Sequence, residues 1–244
     1  MSRTLTILKR ELRAYFATPV AYVFIVIFLI LTGVFTFQIG GLYERNQADL
    51  EPFFRFHPWL YMLLIPAISM RLWSEERKAG TLELLMTLPI SLVEAVIGKF
   101  LAAWCFTAIA LGLTFPVWLT INYLGDPDNT VIAIGYFGSL LLAGACLAIG
   151  SCISALTKNQ VVAFVISFVI CFAFNLAGFP VVLDMFSSWA PQAIVDVISS
   201  FSFLAHFDSI LKGVVDIRDI IFFASLIAFF LYANVLAIES KKGS

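Results

Sequence analysis

Residues 73–95 read WSEERKAGTLELLMTLPISLVEA and interrupt a chain that is apolar on both sides. Glu75, Glu76, Arg77 and Lys78 stand together, Gly80 follows, and Pro89 closes a short mixed segment. What surrounds this charge decides how it is read. The chain has 244 residues, of which 61% are hydrophobic and 13% charged, with 25 Phe. Soluble domains are about half apolar and about a quarter charged. The excess is too large for one buried core and calls for lipid as solvent. A net charge of -1 lacks the basic balance that nucleic-acid binding requires. The composition is that of an all-α integral membrane protein.

A helix needs about 20 apolar residues to cross the hydrocarbon core. Working outward from the interruption, six segments qualify: 20–42, 56–72, 96–122, 131–156, 161–183 and 220–238. The second is the shortest and carries Pro58 and Pro66. The long connection 184–219 reads as amphipathic outer helices, not as a lipid-like segment. Lys and Arg favour the cytoplasmic side. With the N-terminus inside, the inner segments hold Arg3, Lys9, Arg10, Arg13, Arg71, Arg77, Lys78, Lys99, Lys158, Lys241 and Lys242. The outer loops keep only Arg45, Arg55, Lys212 and Arg218. Both termini are therefore expected in the cytoplasm, with 1–244 forming one transmembrane domain. The first apolar run is too long for a signal peptide and no small-x-small cleavage site follows, so a retained anchor is expected.

Local patterns agree with this layout. Ser91-Leu92-Val93-Glu94 is a capping box before the third segment, and Asp126-Pro127-Asp128-Asn129 is turn chemistry before the fourth. Thr157-Lys158-Asn159-Gln160 is a short inner turn. Gly144, Ala148 and Cys152 share one face of the fourth segment, with Gly150 and Ser154 beside it. Such small faces let helices approach closely in lipid, within one subunit or between two. In the interruption itself, Ser74 is expected to cap a helix whose first turn carries Glu75 and Glu76. Gly80 permits a sharp turn, and 81–88 forms a short helix with Leu82, Leu85 and Met86 on one side, stopped by Pro89. A helix this short is marginal in water, so it needs a surface to dock on.

Catalytic signals are missing. No Asp, Glu, Lys or Arg is expected deep in the six segments, where an ion-coupled carrier places its ligands. His57 and His206 read as outer-side loop or interface residues without a companion cluster. There is no phosphate-loop motif. Cys105, Cys146, Cys152 and Cys171 lie in apolar runs without a CxxC pair and read as small hydrophobes. The chain is expected to hold no metal and to catalyse nothing alone, so energy for any work must come from another protein.

At residues 74–91, SEERKAGTLELLMTLPIS, the sequence resembles ABC-2-type permeases. Their usual pattern runs acidic-acidic-basic, then Gly-Thr-Leu-Glu, then a Leu-rich stretch ending in Pro. The likeness extends over the chain: basic amphipathic start, six spans, long outer connection and short inner tail. With RELRAYFATPVAYV at 10–23, it most resembles the gliding-motility-associated branch, near the permease for nitrous oxide reductase maturation.

The resemblance implies a type V exporter-like fold with an elbow helix in 1–17, a cytoplasmic coupling helix in 74–90 and outer helices in 184–219. It implies that Glu75, Glu76, Arg77, Gly80, Thr81, Leu82, Glu83, Leu84, Leu85, Met86 and Pro89 engage a separate ABC ATPase subunit. It assigns Leu5, Leu8, Lys9, Arg10, Leu12, Arg13 and Phe16 to the elbow helix. Independently, Leu5, Leu8, Leu12 and Phe16 make an apolar stripe beside Lys9, Arg10 and Arg13. ATP and Mg would then sit on the ATPase, with no cofactor on this chain. The implied partners are a second permease copy or close homologue, the lipid of a bacterial inner membrane, and an accessory outer protein. The implied function couples ATP hydrolysis to export or to mechanical transmission. An ion-coupled carrier acting alone and a non-transporting scaffold recruiting through 201–207 remain as other readings. A copper-related permease is disfavoured, because Met62, Met70, Met185, His57 and His206 form no metal ladder.

Overall fold

The computed structural model of the chain describes residues 3–82, 90–187, 191–213 and 216–240. Among them every regular element is helical. The chain opens with α1 (Arg3–Ala17), and Pro19 then occupies the first turn of α2 (Pro19–Val34), where its missing amide costs nothing. A π-helical turn, Phe35–Ile39, extends α2. Next come α3 (Glu51–Arg55), α4 (His57–Ser69) and α5 (Arg71–Ala79). The middle holds α6 (Leu92–Gly112), α7 (Phe115–Leu124), α8 (Asn129–Leu156) and α9 (Gln160–Leu176). The last part contains α10 (Pro180–Ser187), α11 (Gln192–Ser200), α12 (Phe203–Leu211) and α13 (Ile217–Glu239).

Helix starts follow the local chemistry of the sequence. Ser91 and Glu94 form the full capping box, with Glu94 N–H donating to Ser91 Oγ at 3.2 Å and Ser91 N–H to Glu94 Oε2 at 2.9 Å. Asp128 Oδ1 accepts from Thr130 N–H at 2.9 Å, and Asn159 Oδ1 from Val161 N–H at 2.9 Å. Each satisfies amides that the first helical turn leaves unpaired.

Among the described residues, four helices are long and apolar enough to cross a membrane: Pro19–Ile39, Leu92–Leu124, Asn129–Leu156 and Ile217–Glu239. The expected second and fifth crossings correspond to shorter helices, α4 with 13 residues and α9 with 17. α9 stops well short of residue 183, because Pro180 has no amide to continue a helix and biases the residue before it away from helical geometry. The outer connection also departs from expectation. α11 and α12 are bent by 63° at their junction and together are apolar enough to count as one broken crossing.

The core is built on α8, which packs against α13, α4, α9, α12, α6 and α5. Its small face serves packing inside this chain. A Cβ on Gly144 would stand 3.0 Å from Trp104 Nε1, and one on Gly138 would stand 2.6 Å from Ile210. Trp104 Nε1–H donates to the Leu140 carbonyl at 2.9 Å. Phe203 and Phe207 of α12 are fully buried. Val161, Val165 and Val169 on α9, and Ile221, Phe229 and Tyr232 on α13, remain exposed, as lipid-facing surfaces require.

A candidate coupling site at the junction of α4 and α5

The interruption at 73–95 begins where α4 gives way to α5. Pro66 lies inside α4, and the Met70 amide donates back to its carbonyl at 2.9 Å. The regular ladder breaks here, and a distant side chain fills the gap. Ser154 Oγ, near the end of α8, accepts from the amides of Trp73 and Ser74 at 3.1 Å each and donates to the Met70 carbonyl at 2.8 Å. Fully buried Trp73 donates its indole N–H to Ser151 Oγ at 3.2 Å, and Asn234 of α13 donates to the same oxygen at 2.7 Å. Ser74 is therefore not a helix cap. It sits within α5 with its hydroxyl donating to the Met70 carbonyl, and Glu75 and Glu76 fall in mid-helix. The orphan amides are taken by another helix, not by a local side chain.

Lys99 completes the socket. Its side chain is only 4% exposed. Its Nζ donates to the Leu72 carbonyl at 2.9 Å, lies 2.7 Å from Glu76 Oε1 and 3.9 Å from Glu11 Oε2, and stands 4.9 Å above the Trp73 ring. A buried cation is tolerated only with such partners. One ammonium thus ties α1, α5 and α6 together. Lys99 lies near the start of the third segment, and its charge is compensated inside the protein. Arg77 adds a further tie, donating to the Ala155 carbonyl at 2.7 Å, one of the carbonyls left open at the end of α8.

Gly80 ends α5 with a left-handed φ of 69°, its amide returning to the Glu76 carbonyl. Thr81 Oγ1 donates to the same carbonyl at 3.3 Å, and Leu82 is buried. Glu75, Lys78, Ala79, Gly80 and Thr81 form the exposed side. Glu76 and Arg77 bond within the chain while remaining partly exposed. Glu83, Leu84, Leu85, Met86 and Pro89, with most of the expected 81–88 helix, lie outside the described residues.

The sequence model of the family described as ABC-2 family transporter protein matches residues 5–238. The chain belongs to the ABC-2 transporter family. No curated protein matches the sequence. An ABC-2 permease is a membrane transport component, generally not catalytic itself, whose family works with an ABC ATPase in lipid.

In this permease, α1 carries the expected amphipathic stripe with a shifted centre. Ile7 is its buried residue, set where a Cβ on Gly98 of α6 would come within 2.8 Å. Leu12, Tyr15 and Phe16 join the core, and Tyr15 stacks on Phe106 at 5.1 Å. Leu8 is half-buried, Leu5 is 38% exposed, and Lys9, Arg10 and Arg13 are exposed. The apolar face packs on α6, which moves its centre away from Leu5. Between α1, α2 and the α4–α5 junction lies a cavity of about 440 Å³, lined by Val20, Phe24, Ile27 and Leu64 with Arg71 and Glu75 at its polar end.

Sequence reasoning missed Lys99, Glu11, Ser151, Ser154 and Asn234. The only local signal was a lone Lys in an apolar helix just after a capping box. His57 is not a loop residue either. It is fully buried among Phe28, Phe53, Phe54 and Tyr61, with Nδ1 3.0 Å from Ser139 Oγ.

Proposed function

We propose that this permease is the membrane subunit of an ATP-driven ABC transporter in a bacterial inner membrane, and that α5 is a lever worked by a separate ATPase. The anchorage of α5 carries this reading. A segment that only supplied positive-inside charge would need no fastening to four other helices. Here Ser154 and Ala155 of α8, Lys99 of α6, Glu11 of α1 and Asn234 of α13 are all joined to it, directly or through a shared partner. Glu75, Lys78 and Thr81 present the outer face of the lever, while Glu76, Arg77 and Leu82 hold it.

Six crossings with both termini in the cytoplasm match the distribution of Lys and Arg. α1 lies along the inner surface as an elbow helix. Two permease copies, or one copy and a close homologue, stand with two ATPase subunits that bind ATP and Mg. The route is lined by Phe and Leu more than by charge. It suits hydrophobic or lipidic cargo moving outward, or force transmission as in the gliding-motility branch that 10–23 resembles. An accessory outer protein docks on 184–219.

Affinity purification from native membranes tests this reading. An ABC ATPase should co-elute, and its activity should fall at least several-fold when Lys99→Met loosens the lever. Recovery of the permease alone, transporting in liposomes on an ion gradient without ATPase, would overturn it.

A further inference from the structure

His206 projects from α12, and its ring lies against Phe222 of α13 with centroids 4.0 Å apart and planes 19° from parallel. Nδ1 is 2.6 Å from Asp219 Oδ1, and Nε2 is 3.0 Å from the Ser200 carbonyl oxygen. A backbone carbonyl only accepts, so Nε2 must carry a hydrogen. The contact at Nδ1 also needs a proton, because an ionised carboxylate and a bare ring nitrogen are both acceptors. Neutral imidazole has a single ring hydrogen. The two contacts together therefore hold one proton more than a neutral ring beside an ionised carboxylate.

Two features place that proton on the ring. Asp219 lies in the first turn of α13, where the helix dipole favours negative charge. Phe222 offers an aromatic face on which a cation is favoured.

We propose that His206 and Asp219 form a proton-operated clasp fastening α11 and α12 to the last membrane helix. With the ring doubly protonated, it donates to both Ser200 and Asp219. With one proton lost, it satisfies one acceptor and leaves the other. Asp219 is 5% exposed and its Oδ2 has no partner among the described residues, so a carboxylate deprived of its cation there is strongly disfavoured. Acid closes the clasp and base releases it.

Other charges on the surrounding elements are Asp208 on α12 and Lys212 just beyond it, Asp196 on α11, Asp216 and Arg218 at the start of α13, and Glu51 and Arg55 on α3. α8 and α9, also packed on α12, carry no Asp, Glu, Lys, Arg or His. The clasp stands apart from the coupling socket. Asp219 opens α13, and Asn234, which joins the socket, follows about four turns along.

The chain has only two histidines, so ring NMR on the full-length protein with ¹⁵N-labelled histidine in lipid nanodiscs resolves the site. The signal absent from His206→Gln is assigned to His206. It should show both ring nitrogens protonated in acid and convert to a neutral ring as pH rises. Asp219→Asn should move that conversion to lower pH by about one unit or more. Hydrogen exchange in 191–211, corrected for its intrinsic pH dependence, should rise with the conversion in the native protein and stay flat with pH in His206→Gln. A ring that is neutral at every pH, or a conversion unmoved by Asp219→Asn, would overturn the proposal. So would exchange that ignores the conversion.

Discussion

Lys99 is held by a carbonyl, two carboxylates and an indole face, all from segments far from it in sequence. Removing one member of a buried pair costs about 3–5 kcal/mol because the other charge is left without compensation. Glu76 retains 22% side-chain exposure, which relieves part of that, so Lys99→Met should destabilise by about 2–3 kcal/mol. Thermal unfolding in lipid nanodiscs reads this. Adding Glu76→Gln to Lys99→Met should recover part of the loss, the sign of a direct interaction. Ser154→Ala should cost about 1–3 kcal/mol, since it strips the acceptor from two amides at the α4–α5 junction. The Ser91–Glu94 box was legible because all of its chemistry lies within four residues. The socket was not, since Lys99, Glu76 and Glu11 meet only when three helices pack.

At the scale of elements, the proposed lever works only if α5 stays helical up to Gly80 and turns there. A Cβ on Gly80 would meet nothing within 4 Å among the described residues, so within them a substitution there acts through the backbone. Its φ of 69° is left-handed, costing most L-residues roughly 1–2 kcal/mol and Asn less. Gly80→Val should therefore lower ATPase stimulation by the permease, while Gly80→Asn should stay close to native, as read by ATP hydrolysis in the reconstituted complex. Of the six segments read as crossings, four coincide with helices long and apolar enough to cross a membrane, because a run of about 20 apolar residues is a strong signal. α9 and the outer connection were harder. Hydropathy alone did not register how early the helix stops ahead of Pro180, and α11 and α12 qualify as one broken crossing only as a pair.

Over the whole molecule, α8 joins the two ends. Its last residues bond α5 through Ser154 and Ala155, while its middle receives Ile210 of α12 against Gly138. If α5 is the proposed lever, its displacement bears on α8 and through it on α12. The proposed orientation predicts that a cysteine at Lys158 reacts with an impermeant thiol reagent only from the cytoplasmic side, and one at Lys212 only from outside. The native cysteines give little background, since Cys146, Cys152 and Cys171 are buried and Cys105 is partly so. The most direct test of the lever is a photo-crosslinking residue at exposed Thr81, activated in native membranes. The account predicts an adduct with an ABC ATPase. An adduct only with outer-side proteins, or none with any ATPase while the intact complex hydrolyses ATP, would contradict it.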